Sequence, residues 1–163
     1  MTCLAIIWYS RTGGSRQLAL AARDAAQEAG DVDVRFLTAE ETTAQDLLDA
    51  DGYLFACPEN LAAIAGVMKA FFDRTYYDVL GRIEGRPYAA IICAGSDGEN
   101  AKKQLERICT GWRLKRVAET PIVNVAAQTR EEILAEKTID EDDLAKAREL
   151  GATLGAGLEI GVF

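Results

Sequence analysis

The chain has 163 residues, 49% of them hydrophobic, enough for one globular domain spanning residues 1–163 with a single sizeable core. Its 26 acidic and 18 basic residues leave a formal charge of −8, which argues against nucleic acid or an anionic membrane surface as the main partner. Histidine is absent, so Ser-His-Asp and Cys-His catalysis are excluded, the usual zinc sites lose their commonest nitrogen ligand, and no metal site is expected.

The first apolar run, Leu4 to Trp8, is short and isoleucine-rich, as suits a buried parallel strand. Leu18, Ala21, Ala22, Ala25 and Ala29 then recur three, four or seven apart and predict a helix whose N-terminus falls at Gly13 to Ser15. Between strand and helix, Ser10-Arg11-Thr12-Gly13-Gly14-Ser15 places three hydroxyls and two glycines where the free N–H groups and positive pole of the first turn favour an anion. The hydroxyls can donate to phosphate oxygens, and glycine lets the backbone close around them. The same stretch also fits an ordinary turn in which Thr12 or Ser15 caps the helix. No Lys follows Gly13-Gly14-Ser15, as a P-loop requires, and G-x-G-x-x-G is absent, so a cradle here would take a mononucleotide.

Gly30-Asp31 breaks the helical pattern, and Val32, Val34 and Phe36 alternate with charged residues as an edge strand does. Thr38 to Thr43 reads as a surface connection, followed by a short helical turn over Gln45 to Asp49. Tyr53 to Cys57 predicts a central strand ended by Pro58, then a loop, Pro58-Glu59-Asn60-Leu61-Ala62, and a helix from about Ala63 towards Tyr76-Tyr77. Tyr88 to Ala94 is a further continuous apolar strand that empties into the glycine-bearing loop Gly95-Ser96-Asp97-Gly98. Leu105, Ile108, Cys109 and Trp112 mark the next helix. Strand material between Leu114 and Val125 is interrupted at Glu119-Thr120-Pro121, Glu131 to Asp143 reads as a solvated connection, and Leu144 to Leu158 closes the chain as an amphipathic helix. Cys3, Cys57, Cys93 and Cys109 form no C-x-x-C pair and are expected to be buried structural thiols. No apolar run is long enough to span a bilayer and no signal-peptide pattern begins the chain, so no membrane association and a cytoplasmic location are expected.

Strands alternating with helices imply an α/β fold: a five-stranded parallel sheet, order 2-1-3-4-5, between two helical layers. In that topology a ligand lies outside the carboxyl ends of strands 1 and 3, where Ser10 to Ser15 and Pro58 to Ala62 fall. With these residues the chain resembles the flavodoxin-like superfamily over nearly its whole length. Ser10-Arg11-Thr12-Gly13-Gly14-Ser15 matches that family's [ST]-x-T-G-x-[ST] phosphate motif. Gly66-Val67-Met68-Lys69-Ala70-Phe71-Phe72-Asp73-Arg74 is similar to a run in its NADPH-dependent flavin and quinone reductases. The resemblance implies that Ser10, Arg11, Thr12, Gly13, Gly14 and Ser15 hold the phosphate of FMN. It implies too that Pro58, Glu59, Asn60 and Leu61 border the isoalloxazine ring, and that Gly95, Ser96, Asp97 and Gly98 form the third flavin loop.

The same resemblance implies an oxidoreductase that takes hydride from NADPH or NADH through FMN to a quinone or similar small acceptor. The alternative is an electron carrier or FMN-binding module that docks on redox partner proteins. Neither ring-side loop carries an aromatic residue, which favours a ring open to a second substrate and loosely held. Other uses of such a fold fail on their own residues. Cys57 stands where a response-regulator receiver needs an aspartate, and no cysteine has the arginine six positions on that a low-molecular-weight phosphatase requires. Phe71, Phe72, Tyr76 and Tyr77 give one helix a large aromatic surface, from which a homodimer is expected.

Overall fold

Side chains on the central strands alternate between two cores, and that alternation sets three layers. The computed structural model describes residues 1–163. Its elements are β1 (Cys3–Trp8), α1 (Gly14–Ala29), β2 (Asp33–Thr38), α2 (Ala44–Asp49), β3 (Gly52–Asn60), β4 (Ala63–Ile64), α3 (Gly66–Val79), β5 (Pro87–Ala94), α4 (Glu99–Gly111), β6 (Lys115–Arg116), β7 (Ile122–Asn124), α5 (Arg130–Leu134) and α6 (Glu141–Ile160). Tyr53, Phe55 and Cys57 of β3 face one core with Phe71 and Phe72 of α3 and Leu105 of α4. Leu54 and Ala56 face the other, with Leu18 and Ala22 of α1 and Leu150 and Leu154 of α6.

The sheet runs β2-β1-β3-β5, with β6 and β7 both paired in parallel to the far edge of β5. This is the expected order with its fifth strand split in two. Val117 N–H donates to Tyr88 O (3.0 Å) and Ile92 N–H to Pro121 O (3.1 Å), so the ladder lapses between them, where the sequence interruption lies. No helix is long and apolar enough to cross a membrane.

Several local expectations are corrected. β3 does not stop at Pro58: that residue stays in register opposite Cys93, and the strand continues to Asn60. Proline lacks only the donor, and its carbonyl still accepts from Ala65 N–H at 3.0 Å. Residues 58–62 are therefore largely a hairpin arm, and α3 begins at Gly66 rather than Ala63. The connection from Thr38 to Thr43 is partly buried, since Ala39 and Thr42 lie inside and Arg74 of α3 donates to the carbonyls of both (2.9 and 2.8 Å). Phe71 and Phe72 are core residues, which leaves only Tyr76 and exposed Tyr77 of the aromatic surface from which a homodimer was expected.

The stretch from Glu131 to Asp143 is not a plain solvated linker. It contains α5, opened by Thr129 and Glu132 as a reciprocal capping box, and buries Ile139 against α1. α6 then packs on α1 through small residues. A Cβ placed on Gly151 would lie 2.0 Å from Ala22 O, and one on Gly155 would lie 2.4 Å from Ala26 O.

Candidate functional site

At the carboxyl ends of β1, β3, β5 and β7 the sheet opens into a cavity of about 300 Å³. Tyr9, Arg11 and Thr12 follow β1; Pro58, Glu59 and Asn60 end β3; Cys93, Ala94 and Gly95 end β5; all line it. Parallel strands leave such a crevice where neighbouring connections depart to opposite faces of the sheet.

Below Thr12 the chain turns sharply into α1. Gly13 has φ 95°, a left-handed value that disfavours side chains, and its N–H donates to Ser10 Oγ at 3.1 Å. A Cβ at Gly14 would sit 2.9 Å from Cys93 Sγ, so that position is closed to larger residues. Ser15, in the first turn, is 2% exposed, and its Oγ has no hydrogen-bond partner. Leaving such a hydroxyl unpaired costs about 1–3 kcal/mol, and it stands among N–H groups that also lack helical acceptors. The loop thus offers unspent donors to an anion. Ser10, Gly13, Gly14 and Ser15 build the turn, while Arg11 and Thr12 reach the cavity wall.

The second loop is a tight hairpin. β3 and β4 pair Glu59 with Ile64 and Asn60 with Ala63, leaving Leu61 and Ala62 as the two-residue turn. Both have positive φ (50° and 61°), a conformation costing roughly 1–2 kcal/mol per residue without glycine. Neighbours compensate: Asn100 Nδ2 donates to Ala62 O (2.5 Å), Gln104 Oε1 accepts from Ile64 N–H (2.7 Å), and Glu59 Oε1 accepts from Ala62 N–H (3.2 Å). Glu59 Oε2 is buried without a partner, in a residue that lines the cavity. It is an acceptor waiting for a donor. Leu61 stands 92% exposed at the hairpin tip, outside the cavity lining.

Of the third loop only Gly95 lines the cavity. A Cβ there would meet Ala127 O at 3.0 Å, which explains the glycine. Ser96 and Asp97 lie exposed beyond the lining, with Ser96 O held by Asn124 Nδ2, and Gly98 (φ 86°) is buried against Ile122 at the start of α4. All four cysteines are free and buried. Burial pushes the Cys57 thiol up to about 12 and the Cys93 thiol up to about 11, so neither supplies a thiolate near neutral pH.

Sequence reasoning missed Tyr9, Val125, Ala127, Ile133 and Lys137 in the cavity wall. Tyr9 adjoins the phosphate-like motif and could have been found from the strand's alternation. Val125 and Ala127 follow an apolar strand run that reads as core rather than cavity wall, and Ile133 and Lys137 come from a polar stretch that carries no such signal.

The family model described as NADPH-dependent FMN reductase matches residues 38–130, more than half of the chain. The chain belongs to that family. The match takes in the hairpin, α3 and the Gly95 loop of this FMN reductase-family protein, and leaves Ser15 and Lys137 outside it, on either side. A flavodoxin of Aquifex aeolicus (strain VF5) is 31% identical over 93 residues, 57% of this chain and 50% of that protein, so the chain spans about half the length of that relative. Among solved structures, a flavodoxin from the domain Archaea superposes with TM-score 0.79 at 15% identity, covering 96% of this chain and 99% of that one. Rubredoxin oxygen:oxidoreductase from Desulfovibrio gigas gives 0.80 at 13% identity, covering 99% and 37%. A flavone reductase gives 0.73 at 17% identity, covering 97% and 63%. These likenesses establish the flavodoxin-like fold.

Proposed function

We propose that the protein binds FMN in this cavity and works as an NAD(P)H-dependent oxidoreductase that reduces a quinone-like small acceptor. The observation that carries the reading is the orphaned Ser15 hydroxyl at the N-terminus of α1, beside a turn that the left-handed Gly13 makes possible. A terminal phosphate fits that donor set, since Thr12, Ser15 and the free N–H groups supply hydrogen bonds that only an anion can fully use. Glu59 Oε2 would accept from an N–H of the ring or a ribityl hydroxyl, and Ala94 and Gly95 leave room for a flat ring. When bound, FMN supplies hydride and electron transfer between a nicotinamide and the acceptor. With no histidine in the chain and the cavity-side Cys93 thiol protonated, this protein's share is binding, orientation and access.

Mixing the FMN-loaded protein with NADPH, NADH and a quinone tests the reading. Rapid quinone-dependent oxidation of either nicotinamide is expected. Slow oxidation, with fast reduction by a redox protein instead, would favour the carrier alternative, for which the acidic surface speaks (−8 overall). Tyr9 is the aromatic wall of the cavity, which the loops themselves do not provide. Tyr9→Leu is therefore expected to weaken FMN and riboflavin alike, by roughly fivefold, in a fluorescence titration. A change confined to FMN would move Tyr9 to the phosphate end.

A further inference from the structure

The segment from Thr129 to Ile139 lies across the phosphate end of the cavity, and its attachments are more specific than a linker requires. Lys137 N–H donates to Thr12 O at 2.8 Å. Gln17, one turn into α1, grips the segment with its whole amide: Nε2 donates to Lys137 O (2.6 Å) and Gly13 O (3.0 Å), and Oε1 accepts from Ile139 N–H (3.0 Å). A single side chain thus ties the strap to the loop that opens α1. A Cβ on Gly14 would lie 3.7 Å from Lys137 Cβ, so the lysine side chain leaves the backbone directly beside that loop.

Its ammonium is also fixed. Lys137 Nζ donates to Glu132 O (2.7 Å), Ile133 O (3.1 Å) and Ala135 O (2.5 Å), at the carboxyl end of α5. Three carbonyls use all three of its donors, so it acts as a stationary charge rather than a swinging ligand. Lys137 lines the same cavity as Thr12, and its charge is felt by the Cys93 thiol at the cavity floor, where it opposes the upward push of burial. Of the cavity residues only Arg11 and Lys137 are cationic, and Arg11 is exposed to solvent. On a protein of net charge −8, a doubly charged phosphate meets repulsion that hydroxyls and N–H groups do not remove.

We propose that Lys137, held in place by the Gln17-latched strap, is a specificity residue that selects flavins carrying a phosphate over those without one. This rests on the FMN reading above. Gln17 is the positioning residue: it touches strap and loop, and sets where the charge stands.

The test compares FMN with riboflavin, by fluorescence titration, on wild type, Lys137→Gln, Lys137→Arg and Gln17→Leu, each at low and high salt. The wild type is expected to prefer FMN, with a preference that shrinks as salt rises. Lys137→Gln should lose about tenfold in FMN affinity with riboflavin changed by less than about twofold, while Lys137→Arg keeps most of the preference. Gln17→Leu should reduce the preference in the same direction. Loss of folded protein weakens both flavins together, so their ratio still reads the charge in a destabilised variant. An unchanged ratio in Lys137→Gln would overturn the proposal and leave the phosphate cradle standing. A wild type that binds both flavins equally would overturn the cradle itself, and the role of Lys137 with it.

Discussion

Replacing Thr12 and Ser15 together by alanine should weaken FMN by more than about a hundredfold while changing riboflavin by only a few-fold. Hydrogen bonds to a charged group are worth about 1.5–3 kcal/mol each, and two hydroxyls are removed. Ser15 makes the experiment sharper than an ordinary binding-site substitution. Its Oγ is buried and unpartnered without a ligand, so the free protein bears the cost of keeping it there. Ser15→Ala alone should leave the melting temperature of the flavin-free protein unchanged or slightly higher. The added stability on saturating with FMN, which follows the ratio of ligand concentration to Kd, should shrink. Thermal unfolding with and without FMN reads both effects in one preparation. A Ser15→Ala protein less stable when empty yet equally stabilised by FMN would show that the hydroxyl serves the turn alone. Ser10 differs, because its Oγ already accepts from Gly13 N–H, and its loss would disturb the turn before it touched a ligand.

The turn that joins β1 to α1 was legible because its signals are local. Hydroxyls and glycines at fixed offsets join a continuous apolar run to a period-3.6 pattern within a few residues, and nothing distant is needed to interpret them. Strand order followed from the alternation of elements, and the split of the last strand was visible at Pro121. The hairpin was not legible. Leu61-Ala62 carries none of the Asn-Gly chemistry that marks a two-residue turn, and the turn is held by Asn100 and Gln104 from a helix about forty residues away. The strap was missed for a related reason: Glu131 to Asp143 is polar and acidic, and what places it is Gln17, more than a hundred residues earlier. Helical spacing placed Phe71 and Phe72 in an apolar stripe but overstated how much aromatic surface was left over, because Phe55 and Trp112, which enclose them, come from other elements. Local chemistry was thus readable and long-range attachment was not.

Gly151→Ala is expected to destabilise the protein by about 3 kcal/mol, and to weaken FMN as well, although residue 151 lies on α6, away from the cavity lining. Helix propensity alone would predict the opposite, a gain of up to about 1 kcal/mol on replacing an interior glycine. Packing decides the sign. The new Cβ would fall 2.0 Å from Ala22 O, a backbone atom inside α1 that no rotamer change can move, so the two helices must part. Parting them loosens the contacts of Leu150 and Leu154 with Leu18 and Ala22 behind the sheet. It also shifts α1, whose first turn carries Gly14 and Ser15 and whose Gln17 holds the strap. For a domain of this size the melting temperature should fall by about 10 °C. Gly111→Ala is the control, since a Cβ there meets nothing within 4 Å, and it should be neutral or mildly stabilising. If Gly151→Ala proved as stable as Gly111→Ala, the close approach of α6 to α1 would be wrong. If it lost stability but kept the wild-type FMN-to-riboflavin ratio, the phosphate loop would be set by the β1 turn alone, independently of the helix pair behind it.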